Sequence, residues 1–137
     1  MSLSSEDKKV LSEIRFEKAS EFLEDARANL KETRLKTAIN RSYYSALNAA
    51  RALLILEGVN PESHSGAVTM LSLRFVKTGL LPVEVIKSFK ILLSRRADVD
   101  YGDFEHITTT EAEDSVDRAE KILEQIDTLR KKLIEGD

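Results

Sequence analysis

The stretch "YYSALNAARALLIL", residues 43–56, decides the fold. At helical spacing it is apolar or small on nearly every side, and a helix without a broad polar face belongs in the middle of a bundle. It is the least polar part of a helix predicted from about Leu35 to Glu57. The small residues Ala38, Ser42, Ala46, Ala49 and Ala50 let neighbouring helices approach closely. Gly58 stands where a left-handed C-terminal cap is needed, and Pro61 follows it.

Helices follow on both sides of this centre. On the N-terminal side, Phe16, Ala19, Leu23, Ala26 and Leu30 recur at steps of three and four and predict a helix from about Ser5 to Lys31. The polar "KETR" at 31–34 joins the two helices, and so short a connection favours antiparallel neighbours. On the C-terminal side, "NPESHSG" leads into a shorter helix over about Ser65–Lys77, with Val68, Leu71, Phe75 and Val76 inward and Gly79 at its end. Pro82 suits the first turn of a fourth helix, which reaches Asp98 or Asp100 on a stripe of Val85, Phe89, Leu92 and Val99. After a loop, "TEAE" at 110–113 reads as a capping box, with Thr110 accepting from the Glu113 amide. The last helix carries Ala112, Val116, Ala119, Leu123, Ile126 and Leu133. No stretch alternates with period two for long enough to make a strand. The pattern predicts an all-α, up-and-down antiparallel helical bundle of about five helices, four long and one short. Residues 1–137 are expected to form a single domain with its core at about 5–134.

Composition narrows the chemistry. A 137-residue chain buries roughly two thirds of its unfolded surface and needs no metal or disulfide to hold it. It has no cysteine, which excludes disulfides, thiolate nucleophiles and cysteine-bound zinc. The net charge of −3 argues against a general duplex-binding face but leaves room for a local basic pocket. No apolar run approaches the ~18 residues of a membrane span. The polar start "MSLSSEDKKV" lacks a signal-peptide core, so no membrane association and a cytoplasmic location are expected. Neither histidine falls in a metal-ligand spacing, and no metal site or cofactor is expected.

Three polar groups do not fit a plain bundle. On the fourth helix the steps 85, 89, 92, 96, 99 put Arg96 on the apolar side, where a charge needs a partner. Asp100, one turn later, can supply it. Either the pair is a structural clasp, or Arg96 binds an anion such as a phosphate in a cleft. Asp98 and Asp100 sit near a helix C-terminus, where the dipole disfavours negative charge, so local stability does not explain them. On the second helix Arg41, Ser45, Asn48 and Ala52 form a narrow line flanked by Tyr43 and Tyr44. That line is either the exposed strip of the helix or the wall of a groove facing Arg96. His64 stands just before the third helix as a capping or loop residue, or as a general base or phosphate contact if Arg96 is near. His106 lies in the loop before the last helix.

In "NRSYYSALNAARALL" (40–54), "SHSGAVTML" (63–71), "FVKTGLLP" (75–82) and "RADVDYGDF" (96–104) the chain resembles the HEPN domains, in particular their small stand-alone prokaryotic branch. The resemblance covers most of residues 16–126. It implies a bundle of about five helices that forms a homodimer. Many such proteins are encoded beside a minimal nucleotidyltransferase, and some of those pairs act as toxin and antitoxin. Active members are metal-independent ribonucleases whose arginine is followed, after four to six residues, by histidine, the two subunits combining their motifs. This chain lacks that spacing: nine residues separate Arg96 from His106. The positions that match the branch are Arg96, Asp100 and Tyr101, with Arg41, Tyr43, Tyr44 and His64.

The expected function is therefore a binding module for a nucleotide or nucleic-acid segment such as RNA, partnered by a minimal nucleotidyltransferase. Its candidate ligand residues are Arg96, Asp100, Tyr101, Arg41, Tyr44 and His64, with no catalytic residue assigned. One alternative is a ribonuclease toxin with a non-standard site, such as Arg96 with His64 or Tyr101. The other is a structural or interaction module in which the same residues lock the helices together.

Overall fold

The computed structural model describes residues 3–102 and 106–136. It is an all-α, up-and-down antiparallel bundle built from α1 (Ser5–Lys31), α2 (Leu35–Leu54), α3 (His64–Leu71), α4 (Val83–Tyr101) and α5 (Thr109–Glu135). A single 3-10 turn, Ile55–Glu57, extends α2, and a π-turn, Ser72–Val76, extends α3.

The helix ends have identifiable causes. Ser4 caps α1 by accepting from the Asp7 amide at 3.0 Å, and Glu6 and Asp7 place negative charge in the first turn, where the dipole favours it. Gly58 adopts φ +74° and ends the 3-10 turn, as the sequence predicts. Pro82 is the residue before α4 rather than a member of its first turn; its extended backbone, ψ 152°, starts the helix one residue later. The cap of α5 also differs from expectation. Thr108, not Thr110, accepts from Glu111 at 3.1 Å, because the threonine run offers the same hydroxyl two residues earlier.

α2 is the central member and packs against α1, α3, α4 and α5. Ala46, Ala49, Ala50, Leu53 and Leu54 are fully buried. Two buried serines tie α1 to α2: Ser45 Oγ donates to the Ala19 carbonyl and Ser12 Oγ to the Ala52 carbonyl, both at 2.7 Å. As numbers rise along α2, those of its partners on α1 fall, so the pair is antiparallel. The same inverse pairing joins α2 to α4 through Tyr44–Arg96 and Asn40–Asp100. It also joins α4 to α5 through Arg95–Asp114 and Ser88–Arg118. The core is one cluster that includes Leu23, Leu47, Leu71, Phe75, Phe89 and Ile126.

The serine bonds correct one expectation. Ser45 and Ala52 belong to the buried side of α2. The accessible strip lies one residue earlier and runs Arg41, Tyr44, Asn48, Arg51. Steps of three, four and three fit a helical face as well as four, three and four do. The two hydroxyl-to-carbonyl bonds to α1 select the observed rotation, because a buried serine needs such a partner.

No helix among the described residues is long and apolar enough to cross a membrane.

Candidate functional site

The strip of α2, the start of α3 and the last turns of α4 meet at one end of the bundle, with Arg96 at their centre. Its side chain is 14% exposed and reaches Asp100 Oδ2 from Nε at 2.9 Å. That contact satisfies charge but not direction, since the Nε–H lacks a hydrogen-bond acceptor among the described residues. Nη2 donates to the Tyr44 hydroxyl at 3.2 Å. The guanidinium carbon lies 5.6 Å from the ring centres of Tyr43 and Tyr44 and 5.8 Å from that of Tyr101. Three electron-rich faces around one cation are each a favourable cation–π contact. Burial pulls the basicity of Arg96 down, but Tyr44, Asp100 and Tyr101 outweigh it, and the net effect holds the charge more firmly.

The flanking groups extend the cluster. Asp100 uses its other oxygen to accept from Asn40 Nδ2 at 3.3 Å. His64 packs edge-on to Tyr44, ring centres 6.1 Å apart, and against Tyr43 at 5.4 Å. Burial, then the charges of Arg96 and Arg51, push the His64 pKa below its ordinary value and favour the neutral ring. Tyr43 is fully buried. Its hydroxyl has no partner among the described residues, and burial raises its pKa to about 12.

Of the six residues singled out from sequence, Asp100, Tyr101 and Tyr44 each contact Arg96, and His64 joins them through Tyr44. Arg41 stands one step away. Its Nε pairs with Asp25 at 2.8 Å, its Nη1 donates to Asn40 Oδ1 at 2.8 Å, and it lies 5.8 Å from the Phe22 ring centre. Asn40 thus links it to Asp100. Tyr101, 77% exposed, is the outermost member. Arg95 points the other way, to Asp114 and Ser115 of α5. His106 lines a separate cleft with Arg95, Asp98 and Glu111. The structure therefore brings Arg96 near His64, not His106.

Sequence reading missed Arg51, which follows Asn48 on the accessible strip of α2 and acts electrostatically on both Tyr43 and His64. Among the described residues, three buried side-chain polar atoms lack a hydrogen-bond partner: Tyr43 Oη, Arg51 Nε and Arg96 Nε. Tyr43 packs against His64, and the charges of Arg96 and Arg51 act on its ring. Buried orphans of this kind are few in folded proteins and each calls for an explanation. No group of three or more metal-ligating side chains occurs among the described residues.

The fold and cluster define a class: small antiparallel helical bundles with an arginine held among tyrosines where the central helix meets the end of a later one. Comparison with known proteins gives the family. The family model described as HEPN domain matches residues 12–129, and the chain belongs to that family. It is similar to a UPF0332 protein of Thermotoga maritima, 34% identical over 112 residues, covering 82% of this chain and 85% of the other. It is also similar to a protein of Methanocaldococcus jannaschii named "Putative toxin MJ0605", 30% identical over 114 residues, covering 79% of this chain and 85% of the other. The crystal structure of TT1696 from Thermus thermophilus shares the fold, with a TM-score of 0.75 at 22% identity over 86% of this chain and 97% of that one.

Proposed function

We propose that this HEPN protein binds a nucleotide or nucleic-acid segment in the Arg96 cluster, as the nucleotidyltransferase-paired half of a toxin–antitoxin system. In this reading residues 1–137 act as one cytoplasmic HEPN unit, as a homodimer. The observation that carries it is the Arg96 guanidinium itself, held against the rings of Tyr43, Tyr44 and Tyr101 with its Nε–H left without an acceptor among the described residues. The guanidinium of Arg96 holds a phosphate, for which it has a planar fork of donors. Its Nη1 has no partner among the described residues. Tyr44 and Tyr101 offer faces on which a base can stack. Asp100 holds Arg96 in place before the ligand arrives. It sits on the last turn of α4, and an incoming phosphate competes with it for the same cation. HEPN membership and the toxin-named relative support the two-protein setting. In the test, Arg96→Ala keeps its fold and loses nucleotide binding. Unchanged binding by that variant removes the reading.

One observation favours a second reading, a ribonuclease. The neutral His64 ring reaches Arg96 through Tyr44, so an arginine–histidine pair exists in space without the family's spacing in sequence. A neutral imidazole can take a proton from a 2′-hydroxyl while an arginine stabilises the phosphorane charge. RNA left intact by the pure protein, with normal growth on induced expression, dismisses it.

A further inference from the structure

A second cationic site lies along the same strip of α2. A cleft of about 460 Å³ opens between the middle of α1, Asn48 and Arg51 of α2, and the loop at Asn60–Glu62. Arg15, Lys18 and Arg51 face it, against one lining carboxylate, Glu62. None of the three cations has a carboxylate partner among the described residues, although most other arginines in the bundle do. Arg15 donates from Nη1 to the Arg51 backbone carbonyl at 3.4 Å, which holds its side chain against α2 beside Arg51. Burial, and then repulsion from Arg51, lower the basicity of Arg15. Two guanidinium groups kept together without an acid are at a cost that a bound anion relieves.

The cleft shares the accessible strip of α2 with the Arg96 cluster: Asn48, which lines it, donates from Nδ2 to the Tyr44 carbonyl at 2.8 Å, and Tyr44 in turn holds Arg96. His64 feels the charges of both Arg96 and Arg51. Tyr44 and Arg51 are seven residues apart on one helix, about 10 Å along its axis. That is the length of about three nucleotides at a stacked repeat of about 3.4 Å. A mononucleotide presents its phosphate to one of these places only. We infer that Arg15, Lys18 and Arg51 form a second phosphate subsite, and that the ligand is a single-stranded oligonucleotide running along α2 from Arg96 to Arg51. The inference rests on the proposed role of Arg96 for its direction, not for the existence of the subsite.

The test compares a fluorescent hexauridylate with uridine 5′-monophosphate on the full chain, for wild type, Arg15→Ala/Arg51→Ala, Arg96→Ala and Lys18→Glu. Lys18 is exposed, so its variant has no folding defect to confound the result. The double variant is expected to bind hexauridylate at least tenfold more weakly and Lys18→Glu several-fold more weakly, with the monophosphate affinity within twofold of wild type. The salt slope for hexauridylate falls by about 1 to 1.5 in the double variant, as for two lost phosphate contacts on a single strand. Unchanged hexauridylate binding in both variants overturns the inference and leaves the patch to carboxylates of a protein partner. An equal loss for both ligands also overturns it, because the patch then acts only through the Arg96 cluster. Hexauridylate binding that depends on Arg51 but not on Arg96 removes the Arg96 reading alone. No binding by wild type removes both.

Discussion

Replacing Tyr43 by phenylalanine deletes one atom and tests whether its hydroxyl is unpartnered. The Tyr43 side chain is fully buried, packs against Tyr44, His64 and Phe89, and has no hydrogen-bond partner for its hydroxyl among the described residues. A buried hydroxyl without a partner costs about 1–3 kcal/mol of desolvation, which its removal returns, less the few dispersion contacts of one oxygen. At pH 7 the variant is therefore expected to equal or exceed wild-type stability by up to about 1 kcal/mol. The alkaline limb gives a second number. Burial raises the folded-state pKa to about 12 from an ordinary 10.0. A raised pKa on this group favours the protonated form in the native state. The stabilisation is thus complete below pH 10 and is lost as pH climbs toward 12. At pH 11 the unfolded phenol is about nine-tenths ionised and the folded one hardly at all. Wild type then loses about 1.4 kcal/mol that the phenylalanine variant keeps. Urea unfolding of both proteins at pH 7 and pH 11 measures the difference of differences, in which the other tyrosines and the lysines cancel. A variant less stable than wild type by 1 kcal/mol at pH 7, or a pH-independent difference, refutes the reasoning, since the hydroxyl would then be bonded.

Other perturbations separate structural from binding roles. In Gly102→Ala the new methyl carbon would stand 2.4 Å from the Asp98 carbonyl oxygen. The end of α4 must shift, at about 1 kcal/mol in urea unfolding; no loss contradicts the geometry of that cap. Arg130, 4% exposed, pairs with Glu13 at 3.1 Å and Asp127 at 3.2 Å and lies 4.8 Å from the Phe16 ring centre. Its partners reach water, so Arg130→Ala should cost about 2 kcal/mol, below the range for a fully buried pair; a loss under about 0.5 kcal/mol shows the network to be idle. A double-mutant cycle on Arg96 and Asp100, an i,i+4 pair at a helix end, should give about 0.5 kcal/mol of coupling. Coupling well above 1 kcal/mol without effect on any ligand favours a structural clasp.

Much of this was legible in the sequence. The apolar sides of "YYSALNAARALLIL" predict a central helix, and α2 is central. Counting threes and fours along α4 picks out Arg96 and its partner Asp100, and both are found there. The same count along α5 steps from Ile126 to 130 to Leu133 and would have revealed Arg130; reading the stripe by apolar residues alone passed over the charge within it. The strip of α2 was misread by one residue because both rotations satisfy the helical period. Only the partners of Ser45 and Ala52 on α1 distinguish them. The second cationic cleft was invisible for a deeper reason. Arg15, Lys18 and Arg51 come from two helices whose register is set by those buried bonds, and no spacing within one helix encodes it. The nearness of His64 to Arg96 is tertiary in the same way. It depends on where the loop at 58–63 returns the chain.

The chain has two histidines, one in the Arg96 cluster and one in a separate cleft, so one titration carries its own control. The ring signals of His64 and His106 can be followed by NMR while a ribonucleotide 5′-monophosphate is added to millimolar concentration. The His64 signals are expected to move along a saturating curve, His106 to stay still, and Arg96→Ala to abolish the movement. Still signals on both rings at millimolar nucleotide, or equal movement of both, would contradict it.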